Sequence, residues 1–119
     1  MKGSPMIKRH EVTGRLSKVL VANGFAFLSG LTAQNRDGDV KAQTADILAQ
    51  IDEYLREVGT DKTRIAVANI WLKDIAQFAE MNEAWEAWVD RDQPPARATV
   101  ESRLAHDKIL VEIQVQAVV

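Results

Sequence analysis

Short runs of alternating hydrophobic and polar residues, parted by turn residues, are interrupted by two longer stretches with helical spacing. Residues 17–22 and 25–29 flank Asn23-Gly24. That dipeptide between two β-type runs supplies the positive-φ pair of a type I′ turn, so the segment predicts a β-hairpin. Residues 7–12 add a strand before it. After the polar loop 35–39, Thr44, Ile47, Leu48, Ile51, Leu55 and Val58 recur three and four residues apart. This is the apolar stripe of an amphipathic helix, and Gly59 follows it where a left-handed terminating residue belongs.

Residues 65–72 are apolar on both alternating faces except at Asn69, the pattern of a strand covered on both sides. Asp74 with Gln77 three residues later resembles a capping box. It opens a second helix with Ile75, Phe78, Ala79, Asn82, Trp85 and Val89 on one face, Asn82 the odd polar residue on it. Asp92-Gln93-Pro94-Pro95 ends that helix, because proline disfavours helical geometry in the residue before it. Two strands close the chain, 96–104 and 109–119, around a turn at His106-Asp107-Lys108. In the last strand Ile109, Val111, Ile113, Val115 and Ala117 share one face, and Glu112, Gln114 and Gln116 the other. The order β-β-(β)-α-β-α-β-β implies an α+β domain with two helices on one face of a mixed sheet. The other face mixes apolar and polar residues, as an oligomer interface would.

Length and charge narrow the function. The chain has 119 residues, one domain's worth, and 46% of them are hydrophobic, enough for a core. Met6 follows Lys2-Gly3-Ser4-Pro5, so residues 1–6 read as a tag or a disordered extension outside the domain. The formal net charge is -2, with Lys and Arg scattered among Asp and Glu, which argues against nucleic acid as a partner. No apolar run approaches the ~18 residues of a membrane span. There is no cysteine, hence no disulfide and no thiolate chemistry. The N-terminus has no apolar signal core, which makes the cytoplasm the expected location.

Arg97 opens a strand after Pro94-Pro95-Ala96. Its planar fork can grip a carboxylate through two charge-assisted hydrogen bonds, although composition alone favours a surface ion pair. Glu112, between Val111 and Ile113, can hold a water or move a proton; the plain alternative is a solvent-facing strand position. Asn82 is an amide on an apolar helix face, with a structural hydrogen bond the weightier reading and the orientation of a site the other. Ser29-Gly30 offers a hydroxyl for a ligand, or routine turn chemistry. No G-x-S-x-G elbow supports a serine nucleophile. Trp71, Trp85 and Trp88 read as core or interface anchors. His10 and His106 lack a partner at i, i+4, so no metal is expected. Gly24, Gly30 and Gly38 do not form a phosphate-binding spacing.

The stretch Pro95-Ala96-Arg97-Ala98-Thr99-Val100-Glu101-Ser102-Arg103-Leu104, followed by Val111-Glu112-Ile113, resembles the C-terminal signature of the RidA/YjgF/YER057c family, the L-PSP endoribonuclease-like proteins. Phe27-Leu28-Ser29-Gly30, Gln43-Thr44 and Met81-Asn82-Glu83-Ala84-Trp85-Glu86-Ala87-Trp88 resemble further family segments, so the likeness runs from about Arg15 onward. It implies a chorismate-mutase-like fold and a homotrimer with ligand clefts between subunits. It also implies hydrolytic deamination of 2-enamino or 2-imino acids, such as 2-aminoacrylate, to 2-oxo acids and ammonia, without cofactor or metal. The family's carboxylate-holding arginine falls on Arg97. Ser29, Asn82 and Glu112 match residues of the site or its support. Two positions depart from the better-studied deaminases: Leu16 stands where they carry tyrosine, and Thr99 where cysteine is frequent. Leu16 removes a polar contact to substrate. The rival readings are a non-catalytic ligand-binding or chaperone-like trimer and, with less support, an endoribonuclease or translation inhibitor.

Overall fold

The computed structural model describes residues 6–119, so the expectation for residues 1–6 lies outside the described residues save for Met6, which is exposed. Seven strands and two helices follow in the order β1 (Lys8–Val12), β2 (Ser17–Ala22), β3 (Phe25–Leu28), β4 (Leu31–Thr32), α1 (Val40–Glu57), β5 (Ile65–Leu72), α2 (Phe78–Trp88), β6 (Ala96–Glu101) and β7 (Val111–Val118). They form one mixed sheet in the order β1-β2-β3-β7-β5-β6, and β4 also pairs with β7. Only β5 and β6 run parallel. Their connection carries α2, the crossover that a parallel pair requires. The architecture is α+β, with both helices on one face of the sheet.

The local signals act as expected where backbone geometry is decisive. Asn23 and Gly24 have φ of 51° and 80°, and β2 and β3 pair around them with Ala22 opposite Phe25. Gly59, at φ 80°, lets the chain leave α1, and Thr60 N–H bonds back to the Leu55 carbonyl. The helix begins at Val40, ahead of the apolar stripe, because the Asp39 carboxylate caps it by accepting from Ala42 N–H at 2.8 Å. Gln43 is buried in its first turn. Its amide donates to the carbonyls of Arg36, Gly38 and Lys108, and its oxygen accepts from Leu110 N–H. One side chain thereby ties the start of α1 to the loop before β7. The core between sheet and helices is built from Ile47, Leu48, Ile51 and Leu55 of α1 against Val19, Ala26, Ile70, Leu72, Ile113 and Val115.

The second helix departs from expectation. Its buried residues are Met81, Ala84 and Trp85, and Asn82 and Val89 are half-buried while Ile75, Phe78 and Ala79 are exposed. Of that apolar face Trp85 and the half-buried Val89 join the core, whereas Ile75, Phe78 and Ala79 stay outside it. The helix is rotated toward α1, which takes Met81 and Ala84, and the stripe through Phe78 and Asn82 turns to β6 instead. Asp74 does cap, but it caps a single 3₁₀ turn, Ile75–Gln77, by accepting from Ala76 N–H. Gln77 does not complete a capping box; the acceptor for Ile75 N–H is Glu101 Oε1 at 3.0 Å.

The helix ends at Trp88, before the prolines, and β6 ends at Glu101 rather than Leu104. β7 begins at Val111, since Ile109 N–H closes the preceding turn on the His106 carbonyl. Strand β5 is buried on the helix side at Ala68, Ile70 and Leu72, and only half-buried at Val67, Asn69 and Trp71 on the other. The open face also carries Phe25, Phe27 and Val100, all exposed.

Candidate functional site

Strand β6 lies against β5 with Arg97 opposite Ala68 and Thr99 opposite Ile70. Alternation therefore sends Arg97 and Thr99 to the helix side of the sheet. There the Arg97 Nη1 donates to Asn82 Oδ1 at 2.8 Å. The guanidinium carbon lies 5.1 Å from the Trp85 ring centre and 5.7 Å from that of Phe78. Residues 78, 82 and 85 are one face of α2, so a single helix supplies the acceptor and both aromatic walls. Burial presses the Arg97 guanidinium down from its usual value, and the nearby Glu86 carboxylate opposes this. Arg97 forms no ion pair among the described residues. Beside it opens a cleft of about 320 Å³ that Trp85, Val89 and Pro94 also line. The Thr99 hydroxyl is shielded from solvent without a hydrogen-bond partner among the described residues.

Glu112 lies elsewhere. It pairs with Trp71 on one side and Thr32 on the other, and so projects from the open face. Its carboxylate sits directly over Gly30, where a Cβ would overlap Oε2. Burial raises the Glu112 carboxyl above its usual value. The adjoining Ser29 donates its hydroxyl to the Ser17 carbonyl at 2.6 Å. That bond fixes the bend where β3 hands its place beside β7 to β4. Leu16, next to Ser17, is 44% exposed.

The six candidate residues thus form two groups. Arg97, Asn82 and Thr99 cluster under α2; Glu112, Ser29 and Leu16 cluster at the β3–β4 bend. Within one chain the sheet separates Arg97 from Glu112. Sequence reasoning missed Phe78 and Trp85 as the walls of the arginine, although their spacing with Asn82 was visible, because apolar residues at that spacing ordinarily mark core.

The family model described as Endoribonuclease L-PSP matches residues 6–119. A RutC family protein of Haemophilus ducreyi is 40% identical over 114 residues, 96% of this chain and 97% of its own. The RutC family protein YoaB of Escherichia coli is 41% identical over 113 residues, 95% and 98% of the two chains.

The chain belongs to the RutC/YjgF family.

A crystal structure of a YjgF family member from Neisseria meningitidis superposes with a TM-score of 0.92 at 46% identity, over 95% of this chain and 94% of that one. The crystal structure of a putative translation initiation inhibitor from Salmonella typhimurium gives 0.89 at 42%, over 98% and 100%. The chorismate-mutase-like α+β fold is therefore that of the YjgF family.

In this YjgF family chain, no group of three or more His, Cys, Asp or Glu is placed to hold a metal ion among the described residues. His106 is engaged in its turn, accepting from Lys108 N–H, and His10 lies 3.6 Å from Glu57. Trp88 donates its indole N–H to Asp52 and supports the helix pair, and Trp71 lies on the open face. Among the described residues no helix is long and apolar enough to cross a membrane.

Proposed function

We propose that this protein hydrolyses 2-imino acids, or their 2-enamino tautomers, to 2-oxo acids and ammonia, in clefts between subunits of a homotrimer. The observation that carries this reading is Arg97. A guanidinium with a neutral amide as its acceptor, two aromatic walls and no carboxylate partner among the described residues is prepared to receive a carboxylate from outside. The half-buried guanidinium has given up part of its hydration, which a carboxylate entering the cleft would replace. The separation of Arg97 and Glu112 by the sheet supports a shared site. If both act on one substrate, Glu112 comes from a second copy whose β3–β4 bend faces the first copy's α2–β6 cleft.

The chemistry follows from these groups. Arg97 grips the substrate carboxylate and removes much of the orientational cost of the reaction. A water held by Glu112 adds to the imine carbon, forming the C–O bond while the nitrogen is protonated. The resulting carbinolamine loses ammonia as the C–N bond breaks, and the oxygen's remaining proton leaves to give the 2-oxo acid. Burial raises this carboxyl above the ordinary carboxylate range, which makes it a better proton carrier than an exposed glutamate. Thr99 lines the arginine side, and Ser29 supports Glu112.

The test is imine hydrolysis, with the imine generated in situ by an amino-acid oxidase or dehydratase, semicarbazide competing for it, and 2-oxo acid release followed. Arg97→Ala is expected to lower kcat/KM by roughly thirty- to a thousandfold, since a partly desolvated charged contact contributes about 2–4 kcal/mol. An unchanged rate would refute the assignment. Leu16 favours a second reading, a ligand-binding trimer without turnover, because it places an apolar side chain at the bend. Tight 2-oxo acid binding with no acceleration of imine hydrolysis would select that alternative.

A further inference from the structure

Resting on that reading of the site, we infer that the Arg97 cleft selects monoanionic imino acids with apolar side chains, and that Glu86 is the residue that rejects acidic ones. Two guanidiniums, Arg97 and Arg91, and one carboxylate, Glu86, line the same cleft. Its formal charge is therefore a single positive one. Arg91 Nη2 stands 3.6 Å from Glu86 Oε2, with both side chains largely exposed, too far to neutralise the carboxylate through a hydrogen bond. Glu86 is also the charge that acts on Arg97.

A substrate with one carboxylate consumes the net positive charge when Arg97 binds it. Its side chain then meets Trp85, Val89 and Pro94, the apolar part of the lining. An imine derived from aspartate or glutamate brings a second carboxylate into the same small space. It must displace Glu86 from Arg91 or lie beside it, and both cost free energy. Glu86 is a specificity residue in this account. It need not touch the reacting atoms.

The discriminating quantity is a ratio of kcat/KM values, for the leucine-derived imine over the glutamate-derived one, each generated in situ. The wild type is expected to favour the leucine-derived imine. Glu86→Gln should shrink the ratio by about five- to tenfold at low salt, the size of one charge–charge contact at a partly exposed site. Raising the salt should shrink the wild-type ratio in the same direction, because exposed charges are screened. Glu83→Gln, the same change on the same helix but in a residue paired with Lys41 away from the cleft, should leave the ratio alone.

A wild-type preference for the acidic imine overturns the inference, as does a ratio indifferent to Glu86→Gln or one that moves equally with Glu83→Gln. Calorimetric binding of 4-methyl-2-oxopentanoate against 2-oxoglutarate reads the same preference independently of turnover. Failure of the deaminase reading, no imine hydrolysis at all, is thus separated from failure of the selectivity.

Discussion

Gly30→Ala isolates the position of one carboxylate. Gly30 is not among the residues with positive φ, so its backbone accepts alanine without strain. The added methyl would, however, overlap Glu112 Oε2. The obstructed atom is the end of a flexible side chain, so the fold can yield by moving the carboxylate roughly 1 Å to regain an ordinary contact. An off-rotamer Glu112 costs about 0.5–1.5 kcal/mol. Alanine recovers about 0.4–1 kcal/mol by restricting the unfolded chain. Unfolding in urea should therefore show a net change of less than about 1 kcal/mol.

Activity should respond quite differently. Misplacement of a reacting group by about 1 Å costs on the order of a hundredfold in rate. Imine hydrolysis by Gly30→Ala is thus expected to fall about a hundredfold in a protein as stable as the wild type. In a Glu112→Ala background, where there is no carboxylate to displace, the same substitution should cost nothing further. Full activity in the single variant, or an equal loss in both backgrounds, would refute the idea that Gly30 seats the Glu112 carboxylate.

Two further outcomes concern stability. Burial raises the Glu112 carboxyl, so the folded protein favours its protonated form and loses stability as pH rises through that raised value. Glu112→Gln lacks this loss, and urea unfolding should find the variant gaining on the wild type as pH rises from the ordinary carboxyl range through the raised value; a constant difference would contradict the burial. Gln43→Leu strands the carbonyls of Arg36, Gly38 and Lys108 and the N–H of Leu110. It should cost about 3 kcal/mol or more in the same assay, whereas a loss below about 1 kcal/mol would mean that water replaces the amide at little cost.

Where a residue's own backbone demands decide the structure, the sequence was sufficient. Asn23-Gly24 and Gly59 are cases in point, since few other residues accept a positive φ at those turns. The stripe of α1 was equally legible, because Ile47, Leu48, Ile51 and Leu55 on one helix face have one sensible destination. α2 was not, because it has apolar residues on two faces, Met81 and Ala84 on one and Phe78 and Trp85 on the other. Which face a neighbouring helix takes is a tertiary matter. β4 escaped notice because two residues carry no periodicity.

Arg97 and Asn82 could each be named as candidates, but their mutual hydrogen bond depends on how α2 is rotated over β6. That Arg97 and Glu112 fall on opposite faces follows from the parallel register of β5 with β6 and the antiparallel register of β5 with β7. A shift of one residue in either would have reversed the answer.

The division of polar groups between two faces of one sheet has an evolutionary consequence. Substitutions around the arginine must satisfy α2, whereas those around the glutamate must satisfy the bend between β3 and β4, and within one chain the sheet keeps the two neighbourhoods apart. One half can vary its taste in substrates while the other keeps its chemistry intact. A lineage that duplicates such a chain can diversify by small steps on the helical side alone.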